Sequence, residues 1–192
     1  MIGSKRLFGL RLGSTRHAPE QAARFHEKVM PHMDAAYNYA RYLTRDPAIA
    51  EDVAQEALLR AFRSIGGFRG DAGKAWLLAI VRNCYFDQTG ADRRQQDIAG
   101  TNDADLVISP VNDPESALLE RSSMARVRAA VDSLPDPFRE TLVLREFEEF
   151  SYREIAGLIG APVGTIMSRL ARARHMLAAM LLDENSAEGG TQ

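Results

Sequence analysis

Ser151-Tyr152-Arg153-Glu154-Ile155-Ala156-Gly157-Leu158-Ile159-Gly160-Ala161-Pro162-Val163-Gly164-Thr165-Ile166 packs two helix starts and a helix stop into one short run. Ser151 and Glu154 have the spacing of an N-terminal capping box, in which a hydroxyl and a carboxylate each satisfy a free backbone N–H. Ile155, Ala156, Leu158 and Ile159 give the helix its apolar residues. Gly160 can take the left-handed conformation that ends a helix, and Pro162 cannot continue one. Gly164-Thr165 opens the next helix. A helix of about eight residues, a short glycine turn and a second helix make a helix-turn-helix, whose second helix lies in the DNA major groove.

The faces of that second helix agree with a DNA role. With Ile166 at zero and ~100° per residue, Ile166, Leu170, Ala173 and Leu177 share the sector that faces a core. Thr165, Ser168, Arg172 and His175 take the opposite sector, with Arg169 on its flank. Arg, Ser and Thr are side chains that meet phosphates and base edges. The same pattern also suits the solvated face of an ordinary αα-hairpin, but from Ile155 to Leu182 there are three arginines and no acid.

Upstream of this motif, Leu118, Leu119, Met124, Val127 and Val131 fall at helical spacing until Leu134-Pro135-Asp136-Pro137. Phe138, Leu142, Val143 and Phe147 supply the next helix, and two short helices complete the chain. Residues 95–114 contain Gly100, Asn102, Pro110, Asn112 and Pro114 and read as a flexible linker. Its charge is one-sided: Asp97, Asp103, Asp105, Asp113, Glu115 and Glu120 occur over 95–120 with no Lys or Arg. Such a segment can track a basic channel of a partner or act as a solubilising tether.

Before the linker, Val29, Met33, Ala36, Tyr37, Ala40 and Leu43 suggest one helix, and Asp46-Pro47 marks the start of another. In that second helix Ile49, Val53, Ala57, Ala61, Phe62 and Ile65 form the expected buried stripe, ended by Gly66-Gly67. A third helix runs from about 75 to 89. Strand-like alternation and internal repeats are absent. The expectation is an all-α protein of two small helical domains, 26–94 and 115–182, joined by a flexible acidic linker at 95–114. A flexible basic arm (1–25) and a disordered tail (183–192) flank them.

The third helix divides unequally. Leu77, Leu78, Val81 and Cys84 lie on one side, while Trp76, Arg82, Asn83, Phe86 and Asp87 lie on the other. Aromatic rings beside Arg and Asn can stack on and read bases of single-stranded DNA; rings at helical spacing also serve as contacts between helices.

The 192 residues are 45% hydrophobic and 26% charged, with a formal net charge of −2. This composition excludes wholesale disorder, and the near-neutral balance suggests that a partner supplies most of any DNA affinity. The apolar run from Trp76 to Val81 is too short to span a bilayer, and the amino terminus lacks a signal core, so a cytoplasmic protein without membrane insertion is expected. Cys84 is the single cysteine, so neither an internal disulfide nor a cysteine-rich zinc site can form. His17, His26, His32 and Cys84 match no metal-ligand spacing, and Gly66-Gly67 and Gly70 lack the lysine of a phosphate loop. No enzyme, metal or cofactor is expected.

Taken together, Ala50-Glu51-Asp52-Val53-Ala54-Gln55-Glu56, Trp76 to Asp87 and Ser151 to Arg174 resemble, in order and spacing, the extracytoplasmic-function (ECF) class of bacterial RNA polymerase sigma factors. The resemblance implies that Asp52, Gln55 and Glu56 contact core RNA polymerase. It implies that Trp76, Arg82, Asn83 and Phe86 melt promoter DNA, and that Thr165, Ser168, Arg169 and Arg172 bind the upstream promoter element. An anti-sigma factor is a further implied partner. Met167 stands where the family often has lysine, and the basic run after the melting helix is reduced to Arg93-Arg94. A stand-alone helix-turn-helix regulator is the alternative, but it leaves the first domain without a role.

Overall fold

The computed structural model describes residues 18–90 and 120–188, with side chains over 19–90 and 125–182. The expected linker at 95–114, residues 1–17 of the expected arm and residues 189–192 of the expected tail lie outside the described residues. Within these bounds the protein is all helical.

Four helices make the first half: α1 (Ala18–Lys28), α2 (Met33–Thr44), α3 (Pro47–Ser64) and α4 (Gly73–Thr89). Helix α1 covers the last eight residues, 18–25, of what the sequence suggests is a flexible arm. A 3-10 turn, Met30–His32, with Pro31 in its first positions, separates it from α2. Arg45 then adopts a left-handed conformation (φ 59°), and Asp46 caps α3, its Oδ1 accepting from the amides of Ala48 (2.8 Å) and Ile49 (3.1 Å). Pro47 follows at the first helical position, where a missing N–H costs nothing.

The buried stripe of α3 is Ala50, Val53, Ala54, Ala57 and Ala61. These small side chains allow α2 and α4 to approach closely and pack Tyr39, Leu43, Leu77, Leu78 and Val81 against them. The stripe expected from the sequence is corrected at two positions: Ile49 and Phe62 are exposed, and the Phe62 ring meets Phe25 of α1 edge-on at 5.3 Å. In α2 the inward tyrosine is Tyr39, not Tyr37, and Met33 is exposed. The 3-10 turn breaks the periodicity that a continuous helix from Val29 would impose.

The second half comprises α5 (Glu120–Ser133), α6 (Asp136–Glu146), α7 (Tyr152–Ile159) and α8 (Val163–Glu188). The capping box forms as the sequence requires: the Ser151 amide donates to Glu154 Oε2 (2.8 Å) and the Glu154 amide to Ser151 Oγ (3.3 Å). Gly160 ends α7 at φ 76°. Ile155, Ile159, Ile166, Leu170 and Ala173 close the helix-turn-helix core with Leu142, Val143 and Leu144 of α6. Leu177 is half-buried, and Val127 and Phe147 are exposed despite their place in the apolar pattern. Instead of two short helices, the chain ends in one short helix and one of 26 residues that continues into the expected tail.

Both halves pack against each other, and their buried apolar residues form one continuous cluster. Polar ties cross the boundary at three places. Glu140 of α6 accepts from Tyr39 Oη and Arg82 Nε, each at 2.8 Å. Lys74 reaches both Glu148 Oε2 (2.8 Å) and the Glu148 carbonyl (2.9 Å). Arg139 donates to the Tyr42 carbonyl (2.7 Å), while Arg45 bonds Asp136 Oδ1 (2.9 Å).

Candidate functional site

The residues singled out by sequence lie on three helices, α3, α4 and α8. On α3, Asp52 and Gln55 are exposed and Glu56 is half-buried. Gln55 Nε2 donates to Glu51 Oε1 at 3.2 Å. Glu56 Oε1 accepts from Arg60 Nε at 2.7 Å, and Arg60 also reaches Asp87 of α4 at 2.6 Å. Those two hydrogen bonds raise the guanidinium pKa, and the pair fixes α3 to α4. Leu59 is 51% exposed. At seven residues from Asp52, four from Gln55 and three from Glu56, it lies on the same face at its carboxy-terminal end. Sequence reasoning missed it, although its spacing from the three polar residues was the available signal. The result is an exposed polar face with an apolar residue at one end.

On α4, Asn83 is exposed and Phe86 half-buried. Trp76 stacks on Phe68 with centroids 4.6 Å apart and planes at 29°. Arg82 departs from the expectation of an outward, DNA-facing side chain: it is only 5% exposed, paired to Glu140 and lying over the Phe86 ring at 4.6 Å. Helical phase did place it off the apolar stripe of its own helix. The second half covers that side, which a helical projection of α4 alone cannot show. Cys84 is buried in the core, and desolvation pushes its thiol pKa up; such a thiol is unreactive.

On α8, Ser168 and Arg172 are exposed and Thr165 is half-buried. Ser168 Oγ donates to the Thr165 carbonyl at 2.9 Å. Met167 points outward, 55% exposed, beside them. Arg169 is the second correction. Expected on the flank of the recognition face, it is 5% exposed, and its Nε has no hydrogen-bond partner among the described residues. Burial lowers its pKa, an effect opposed by the nearby Glu140 and reinforced by the nearby Arg82. Arg174 clamps the helix to α6 through Glu146 at 2.6 Å. Among the described residues there is no metal-holding cluster of three or more His, Cys, Asp or Glu, and no helix is long and apolar enough to cross a membrane.

A helical module with an exposed polar face and an aromatic helix, followed by a helix-turn-helix with an Arg-bearing outer face, is the architecture of a two-module DNA-binding protein. The Sigma-70 region 2 family matches residues 29–95 and the Sigma-70 region 4 family matches residues 124–177. The chain is 34% identical over 160 residues to the ECF RNA polymerase sigma factor SigE of Mycolicibacterium smegmatis, covering 83% of this chain and 62% of that protein. It is 36% identical over 140 residues to the RNA polymerase sigma-H factor of Pseudomonas aeruginosa, covering 69% and 72%. The sigma factor RpoE in complex with the anti-sigma factor NepR from Bartonella quintana is similar in structure, with a TM-score of 0.61 and 30% identity over 82% of this chain and 96% of that one. The chain belongs to the ECF sigma factors of bacterial RNA polymerase.

Proposed function

We propose that the protein is a transcription initiation factor that binds core RNA polymerase and directs it to specific promoters in the cytoplasm. The observation that carries this reading is the succession of region 2 and region 4 in one chain. A stand-alone regulator needs only the helix-turn-helix and would not carry the region 2 module. Asp52, Gln55 and Glu56, with Leu59 beside them, are the proposed polymerase contact. Asn83, Trp76, Phe86 and Arg82 are the proposed melting residues, since a base leaving the duplex must regain stacking and hydrogen bonds. Thr165, Ser168, Arg169 and Arg172 are the proposed contacts to the upstream element. An anti-sigma factor is the proposed regulator, supported by the NepR complex of the similar RpoE.

Co-elution with core polymerase tests the docking face. The protein should migrate with core enzyme on size exclusion, and the double variant Gln55→Ala, Glu56→Ala should lose this while keeping its circular dichroism. Unchanged co-elution of the folded variant overturns the assignment.

A further inference from the structure

Each DNA-facing helix has one arginine that it does not present to solvent. Arg82 comes from the melting helix α4 and Arg169 from the recognition helix α8, and each is 5% exposed. Glu140, itself buried, is the carboxylate at this contact: it binds Arg82 directly at 2.8 Å and acts electrostatically on Arg169. Its Oε1 is also occupied by Tyr39 Oη. Arg82 Nη2 and Arg169 Nε are buried and lack hydrogen-bond partners among the described residues.

One guanidinium is thus ion-paired to a buried carboxylate, and a second lies near it with its Nε buried and unpartnered among the described residues. A buried ion pair tolerates desolvation only when its partners are complete, and a buried charge without a partner works against the buried state. In this cluster the carboxylate favours the packed arrangement of the two halves, while the surplus arginine opposes it. Separation would hydrate both guanidinium groups and deliver one to each DNA-facing helix at the same moment.

We propose that Glu140 is a latch that holds Arg82 inside a closed form of the free factor, and that Arg169, with its buried unpartnered Nε, is the built-in strain that lets the latch open. The proposal rests on the promoter-directing reading for its purpose, but its mechanics are independent of that reading. In the closed form the other proposed contacts, Asn83, Ser168 and Arg172, remain exposed. What closure withholds is the arginine each face needs beside them.

The test uses the full chain with donor and acceptor dyes on Arg63→Cys and Arg153→Cys, both exposed positions, leaving the buried Cys84 unlabelled. Energy transfer reports the separation of the halves. Glu140→Gln keeps the shape of the side chain and one acceptor oxygen but removes its charge. It should shift the open-to-closed ratio toward open by on the order of 100-fold or more. Adding Arg169→Met to that variant should return the ratio toward closed by about 10-fold or more, because an unpartnered buried donor has been removed. Binding to a random-sequence 30-base-pair duplex should strengthen with Glu140→Gln, with a steeper salt dependence, and should fall back in the double variant. Unchanged energy transfer in Glu140→Gln with intact circular dichroism overturns the latch, as does further opening on adding Arg169→Met. If energy transfer moves as expected but the protein fails to start transcription with core polymerase, the latch stands and the promoter-directing reading falls. Transcription with unmoved energy transfer has the opposite meaning.

Discussion

Gly73 begins α4 where it crosses the end of α1. An added Cβ there would lie 2.1 Å from the Lys28 carbonyl oxygen and 3.1 Å from its carbon. Real Cβ contacts are essentially never under 3.0 Å, so Gly73→Ala demands a relative shift of about 1 Å between two backbones. Neither can yield by a rotamer change. Overpacking of this kind costs ~1–3 kcal/mol, against which alanine in a helix recovers at most ~1 kcal/mol. The expected net loss is ~1–2 kcal/mol, or a fall in Tm of roughly 2–8 °C for a chain of this size. Thermal unfolding followed by circular dichroism measures it. Gly67→Ala is the internal control, since nothing lies within 4 Å of its added Cβ and the reduced freedom of the unfolded chain should stabilise it by ~0.4–1 kcal/mol. A Gly73→Ala protein that melts at or above the wild-type temperature would refute the steric argument. A variant that melts lower but retains full promoter opening would separate the stability of α4 from its function.

Further outcomes follow from the other faces. Asn83→Ala should reduce open-complex formation on duplex promoters much more than on a pre-melted bubble, and equal loss on both templates would point instead to a fold or polymerase contact. Arg172→Ala should weaken transcription from promoters that depend on the upstream element by about 1–3 kcal/mol in apparent affinity and alter its base preference; a uniform loss with a shallower salt dependence would assign Arg172 to phosphate. Ser151→Ala should cost ~1 kcal/mol of helix-turn-helix stability, read by amide exchange in α7. The Glu154 carboxyl is held below its usual pKa by hydrogen bonds from Ser151. Its contribution is therefore complete above the ordinary glutamate value and lost as pH falls through the lowered one. Exchange in α7 should accelerate in that acid window, and Glu154→Ala should abolish the pH step.

Local signals were legible in the sequence wherever cause and effect lie within a few residues. Ser151, Glu154 and Gly160 specified α7 because capping and left-handed termination act over one helical turn. Asp46-Pro47 located the start of α3 for the same reason. The choice between Tyr37 and Tyr39 was harder, because the Met30–His32 turn resets the helical phase between Val29 and α2. In α3 the larger residues Ile49 and Phe62 drew the eye, whereas the buried positions are mostly alanines, whose small volume favours close helix approach. Arg82, Glu140 and Tyr39 form a cluster from residues as much as 101 positions apart, and no periodicity within one helix encodes such a contact. The unused helix faces could be found from sequence, but not which of them the other half would cover.

Run-off transcription with purified core polymerase tests the central claim most directly. Core enzyme alone, core enzyme with this protein, and core enzyme with a different sigma factor should be compared on a library of genomic fragments. A promoter-directing factor predicts new, discrete start sites that appear only when this protein is added to core enzyme, and that vanish with the Gln55→Ala, Glu56→Ala variant. No start sites with core enzyme, together with altered output when another sigma factor is already present, would contradict it and identify a regulator instead.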